Sequence, residues 1–223
     1  DGCTLKDGNV TVPEAFKKAN KLLYDNGWYG LGFPEEIGGM PVPHALTVAC
    51  TAILVGANVS FSMYYGLSKA AMNVILEVGT DKQKSLYVEQ MMTGNWGGTM
   101  CLTEAGAGSD VGAAKTIATP QDNGTFNMKG TKIFISSGDN DLYDNIIHLV
   151  LARTPGSPEG TKGLSLFIVP KNRINEDISN GESNNVVCTN IEEKMGMHGS
   201  STCELTFGNE GDCIGELIGK EHD

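Results

Sequence analysis

Hydrophobic and polar positions follow one rhythm up to about residue 95 and a different one after it. Before that point the spacing is helical. Phe16, Ala19, Leu22 and Leu23 fall on one face of a helix. Thr11 is its expected N-cap, with Pro13 in the first turn and Glu14 completing a capping box, and Gly27 is its stop signal. The segments His44–Val59 and Met63–Val78 are apolar on most sides and predict two largely buried helices. Their small residues (Ala49, Ala52, Gly56 and Ala57; Gly66, Ala70 and Ala71) suit close backbone packing. Thr80 and Gln83 form a second capping box, opening a helix that carries Leu86, Tyr87 and Met91 to about Thr93. Between the first two helices, GLGFPEEIGGMPVP is too rich in Gly and Pro to be an element.

After residue 95 the apolar runs shorten and turn signals separate them. WGGTMCLT, AAKTIAT, TFNMKGTKIFIS, NIIHLVLAR, GLSLFIVP, VVCTNI and STCELTFG each predict a strand. PQDNG and PGSPEGTKG predict turns. No strand–helix alternation appears, which disfavours a Rossmann sheet. The expectation is therefore an α+β multidomain chain: a helical domain over residues 1–95, then an all-β sandwich or barrel over 96–223.

Composition narrows the functional classes. The formal charge of −11 argues against a nucleic-acid partner, which needs clustered cations. No apolar run approaches the roughly 20 residues that span a bilayer, and the N-terminus lacks the character of a signal peptide. Six cysteines without a C-x-x-C pair, and four histidines without metal-type spacing, predict buried free thiols in a reducing compartment and no metal centre.

Chemistry concentrates in CLTEAGAGSD, Cys101–Asp110. It is neither a Walker loop nor G-x-G-x-x-G. Its spacing leaves open both a structural glycine turn and a ligand loop. Gly106 and Gly108 allow backbone N–H groups to approach a ligand, while Thr103 and Ser109 offer hydroxyls. In KIFISSGDND, Phe134 precedes Ser136 by two residues. On a regular strand these share a face, an aromatic surface with a hydroxyl donor that suits a flat, polar-edged heterocycle. A core Phe beside a surface Ser is the plainer alternative.

Four stretches in order, GLGFPEEIGG, MCLTEAGAGSDVGAAKT, GTKIFISSGDND and EEKMGMHGSSTCELTF, resemble the acyl-CoA dehydrogenase family and its large subgroup in particular. The resemblance covers nearly the whole chain. It implies an N-terminal helical domain, a middle β domain and a C-terminal helical domain, the third lying beyond this chain. It implies FAD as cofactor, with Met100, Leu102, Thr103, Gly108, Ser109, Phe134, Ile135 and Ser136 as flavin-site positions. Leu102 and Thr103 would meet the pyrimidine edge of the ring, and Ser136 the N5 region. Ser109 and Thr154 would contact the acyl-CoA substrate.

The resemblance further implies electron-transfer flavoprotein as acceptor, a homo-oligomeric full-length protein, and a location in the bacterial cytoplasm or the mitochondrial matrix. The general base would be a Glu of the C-terminal domain, so residues 1–223 alone would turn over no substrate, and Glu104 would hold the loop. Ala105 stands where many members have Pro. Phe134 and Ser136 stand for Trp and Thr, and His198 for Arg. A relative that reacts with oxygen, an oxidase or flavin monooxygenase, and a non-catalytic scaffold on the same fold are the other readings.

Overall fold

The computed structural model describes residues 2–222. Four helices come first: α1 (Glu14–Asp25), α2 (His44–Ala57), α3 (Val59–Val78) and α4 (Asp81–Met92). A small hairpin precedes them, β1 (Thr4–Lys6) and β2 (Asn9–Thr11). Its two-residue loop, Asp7–Gly8, has positive φ at both positions (50° and 74°), which matches the twist of the flanking strands. The hairpin lies against the sheet rather than the helices. The Asp139 carboxylate accepts the Val10 N–H at 2.9 Å, and Asp141 accepts the Val12 N–H at 2.9 Å.

That hairpin corrects the expected start of α1. Thr11 is a strand residue paired with Thr4, so it caps nothing. The helix begins at Glu14, with Pro13 at its N-cap and no side-chain cap. Phe16 and Leu23 are buried, whereas Leu22 is exposed. Gly27, with φ 72°, follows the helix end as expected.

α2 also departs from expectation. It ends at Ala57, and α3 starts at Val59, four residues before the expected Met63, because the Asn58 side chain caps α3 by accepting the Phe61 N–H at 3.0 Å. Among the described residues α2 buries none of its own; Leu46, Val48, Val55 and Ile53 (72% exposed) face outward. Its sequence is apolar enough for a core helix, but α3 packs against one side of it and nothing described covers the rest. The capping box of α4 forms as expected: Gln83 N–H donates to the Thr80 hydroxyl and Thr80 N–H to the Gln83 side chain.

Seven strands match the seven expected: β3 (Trp96–Cys101), β4 (Ile117–Pro120), β5 (Phe126–Ser136), β6 (Asn145–Arg153), β7 (Leu164–Pro170), β10 (Val186–Ile191) and β11 (Thr202–Phe207). Three more complete the set: β8 (Asn172–Ile174), β9 (Asn180–Ser183) and β12 (Ile214–Ile218). β12 fills the slot between β5 and β7. β4 pairs with both β5 and β6, so β5, β12, β7, β6 and β4 close into a ring. β10 and β11 extend the sheet from β5, and β3 extends it from β6 in parallel. The ring gives the expected barrel character, since closure leaves fewer open edges.

Two apolar clusters sit on either side of this sheet. Tyr64, Met72, Ile75, Tyr87, Met91 and Trp96 join the helices to it, and Met128, Val150, Phe167, Cys203, Leu205 and Phe207 fill its other face. Gly97 and Gly98 permit the seam. A Cβ at Gly97 would lie 2.4 Å from the Tyr143 ring, and one at Gly98 2.7 Å from both Ala71 and Met91. All six cysteines are free, four of them buried.

Candidate functional site

The site forms where the loop after β3 crosses β5. β3 delivers Met100 half-buried at its end, then the chain leaves the sheet with Leu102 and Thr103, both half-buried. Ile133 N–H donates to the Thr103 carbonyl at 2.8 Å, which ties this loop to β5. Glu104 and Ala107 then exchange backbone hydrogen bonds at 3.1 and 3.0 Å, closing a tight turn that leaves Gly108 and Ser109 exposed.

The Glu104 carboxylate holds that turn, as expected. It accepts the Thr116 hydroxyl at 2.6 Å, the Thr116 N–H at 3.0 Å, the Lys115 N–H at 2.7 Å and the Lys132 ammonium at 2.9 Å. Burial alone would raise its pKa. The Thr116 hydroxyl, the Lys115 N–H, Lys132 and the Thr116 N–H outweigh burial and bring it to about 2. A carboxylate so fully occupied is a poor proton acceptor.

On β5, a bulge re-aims the next residues. Cys203 faces Ile135 and Leu205 faces Lys132, so Ile133 and Phe134 together oppose Glu204. Phe134 takes φ 58°, unusual for an aromatic residue, and the residue is 57% exposed. Simple strand alternation therefore breaks at this position. Ile135 is buried, and Ser136 is half-buried beside the Ser137–Ser201 backbone contact.

These positions leave unspent donors. Among the described residues, the Thr103 N–H, the Thr103 hydroxyl and the Ser136 hydroxyl have no hydrogen-bond partner. An exposed aromatic ring stands on the strand to which Thr103 is tied. That donor set and aromatic surface fit a flat heterocycle with acceptor atoms on its edge, which is the chemistry of the flavin of FAD.

Thr154 lies apart from this surface. It is buried after β6, and its hydroxyl donates to Glu221 at 2.5 Å and lies 3.2 Å from His222 Nε2. The neighbouring Arg153 joins its surroundings to the Ser109 loop. Its guanidinium donates to the carbonyls of Gly112, Ala114 (2.9 Å), Pro158 (2.8 Å) and Gly160 (2.7 Å). A cleft of about 390 Å³ lined by Asp110, Gly112, Arg153 and Ser157 lies between these loops. A larger groove of about 760 Å³, lined by Leu76, Val88 and Met92, contains none of the expected site residues.

Lys132 was not among the residues singled out by sequence. Its signal was present in β5, where it shares the inward phase of Met128 in a run of otherwise apolar inward positions. No helix among the described residues is long and apolar enough to cross a membrane.

Comparison with known proteins agrees with this layout. Residues 6–95 match the family profile described as acyl-CoA dehydrogenase, N-terminal domain, and residues 99–209 match acyl-CoA dehydrogenase, middle domain. The chain is 42% identical over 222 residues to 3-methylmercaptopropionyl-CoA dehydrogenase of Ruegeria pomeroyi, covering 100% of this chain and 37% of that protein. It is 46% identical over 220 residues to a broad-specificity linear acyl-CoA dehydrogenase of Mycobacterium tuberculosis, covering 97% and 36% respectively. It thus spans little more than a third of the length of these relatives.

Among solved structures, an acyl-CoA dehydrogenase from Bacillus anthracis complexed with FAD superposes with TM-score 0.75 at 26% identity, over 93% of this chain and 32% of that one. Butyryl-CoA dehydrogenase from Megasphaera elsdenii superposes with TM-score 0.75 at 25% identity, over 96% and 52%. With both domain profiles matched in order and the helical-then-β architecture shared, the chain belongs to the acyl-CoA dehydrogenase family.

Proposed function

We propose that these residues supply the flavin-binding half of an FAD-dependent enzyme that desaturates acyl-CoA thioesters between Cα and Cβ. The observation that carries this reading is the set of unpartnered donors at Thr103 and Ser136 beside the exposed Phe134 ring. FAD, when bound, supplies a two-electron acceptor for the β-hydride. The chain's own part is to bind and orient. The Thr103 N–H and hydroxyl face the pyrimidine edge, where donors favour the negative charge that develops on reduction. The Ser136 hydroxyl addresses the N5 side, and the Phe134 ring packs on the heterocycle. Met100, Leu102 and Gly108 flank the same surface, with Ile135 buried beneath it as support; exposed Ser109 serves the acyl-CoA, and buried Thr154, its hydroxyl held by Glu221, acts only through the loop it fixes.

No described residue acts as base in this reading. Glu104, the carboxylate nearest the turn, already accepts four hydrogen bonds. The base comes from outside residues 1–223. The boundary between the helical and β units falls at residues 95 and 96. Electron-transfer flavoprotein is the proposed acceptor of the electrons; a chain from the electron transferring flavoprotein study of Acidaminococcus fermentans superposes with TM-score 0.76 at 29% identity, over 92% of this chain and 50% of that one.

The test is the visible spectrum of the natural full-length polypeptide that carries these residues. The wild type should retain flavin and desaturate acyl-CoA without forming peroxide. The Thr103→Val, Ser136→Ala pair should lose at least tenfold in FAD affinity, consistent with removing two hydrogen bonds of about 1 kcal/mol each. A colourless wild type, or an unchanged affinity in the pair, refutes the reading, and stoichiometric peroxide would point to an oxidase.

A further inference from the structure

Lys132 is fully buried on β5 (0% exposed), an expensive place for an ammonium unless its hydrogens are used. Its Nζ donates to Glu104 Oε1 at 2.9 Å and to the Leu102 carbonyl at 2.9 Å. Glu104 does not need it to hold the turn. Two N–H groups and a hydroxyl, from Lys115 and Thr116, already bind that carboxylate. The bond to Leu102 is the one that no neighbour duplicates.

That bond has a directional consequence. A peptide unit is planar, and the described chain has no cis peptide, so the Leu102 carbonyl and the Thr103 N–H point in opposite directions. Holding the carbonyl on Lys132 turns the Thr103 N–H away from the core, where it has no partner among the described residues. The next carbonyl, that of Thr103, is fixed in turn by the Ile133 N–H at 2.8 Å. β5 therefore clamps both peptide units flanking Thr103, one through a backbone donor and one through Lys132.

We propose that Lys132 is a positioning residue for the flavin: anchored by Glu104, it aims the Thr103 N–H at the pyrimidine edge and so favours the reduced ring. This rests on the flavin reading above. A purely structural ion pair would give the same fold but no selective effect on the reduced cofactor.

The experiment compares Glu104→Gln with Glu104→Gln, Lys132→Met in the flavin-loaded full-length polypeptide. The first keeps the Lys132 bond to Leu102; the second removes it without leaving a charge buried alone. Both should melt cooperatively, and the midpoint potential of Glu104→Gln, which loses the carboxylate partner of Lys132 but keeps the Leu102 carbonyl within its reach, is the reference for the double variant. Adding Lys132→Met should weaken reduced flavin tenfold more than oxidised flavin, a fall of about 30 mV for this two-electron couple. If Met is not tolerated, Lys132→Gln in the same background, too short to reach the carbonyl, should show the same fall. Equal potentials in folded variants overturn the assignment alone. Absence of flavin from the wild type overturns the flavin reading and this assignment together.

Discussion

The Tyr64 hydroxyl donates to the Gly199 carbonyl at 2.9 Å and accepts the Ser201 N–H at 2.8 Å. One phenol from α3 thus satisfies two backbone groups of the loop before β11. Burial also pushes its pKa well above the ordinary tyrosine value, so it remains a donor at any pH the protein meets. That loop abuts the candidate site, since the Ser201 carbonyl receives the Ser137 N–H at 2.8 Å. Tyr64→Phe should strand the Ser201 N–H and leave the Gly199 carbonyl with only the Cys3 thiol at 3.2 Å, costing about 1–3 kcal/mol in urea unfolding. A variant as stable as wild type would show that the loop repacks without it.

Phe134 combines a left-handed backbone with an exposed ring. Phe134→Gly should relieve the backbone and stabilise the flavin-free protein by about 1 kcal/mol. The same change should weaken FAD binding at least tenfold, because the packing surface is gone. Thermal melts with and without FAD measure both effects, which should have opposite signs.

The acid limb of stability should carry the signature of His148. It is buried with Nδ1 2.7 Å from the Thr99 hydroxyl and no partner for Nε2 among the described residues. Burial first, and the charge of Lys171 second, lower its pKa from 6.5 to about 3. The unfolded chain then binds the extra proton as pH falls below 6.5. Wild type should therefore lose stability relative to His148→Gln by up to about 1.4 kcal/mol per pH unit between pH 6 and 4. Glu104 acts lower: its contribution is present above about pH 4.5 and is lost as pH falls toward 2. Denaturation midpoints across pH 3–7 for wild type, His148→Gln and Glu104→Gln separate the two.

Gly97 admits the Tyr143 ring and has no room for a methyl group. Gly97→Ala should cost about 1–3 kcal/mol by overpacking. Tyr143→Leu in the same chain should recover part of it; full additivity of the two changes would place the strain elsewhere.

Much of this architecture could be read from residues. Strands β5, β6 and β10 carry β-branched and apolar runs bounded by turns, and Thr80 and Gln83 satisfy each other locally. Local signals failed where distant partners decide. Thr11 has cap chemistry, yet pairing with Thr4 claims it for a strand. The Asp7–Gly8 dipeptide was the available clue, between strands of only three residues each. α2 has a core composition without a core position. In the site, Thr103 and Ser136 were legible as hydroxyls beside glycines and an aromatic. Lys132 was legible only as a lysine in an inward phase; its worth depends on a carbonyl thirty residues away. The bulge at Phe134 arises from pairing with β11 and has no signature within β5.

The slot between β5 and β7 sets an order of events during synthesis. β12, residues Ile214–Ile218, is the last strand of the ring, and β5 waits for it from Phe126 onward. At about 5–20 residues per second, the ribosome makes the helices and eleven strands before the closing strand exists. Gln83 and Tyr87 of α4 also find their partners, the Leu217 carbonyl and the Glu216 carboxylate, only then. A nascent chain stalled short of Ile218 should therefore remain open at β5 and β7 and hold its helices loosely, a natural point of handover to chaperones.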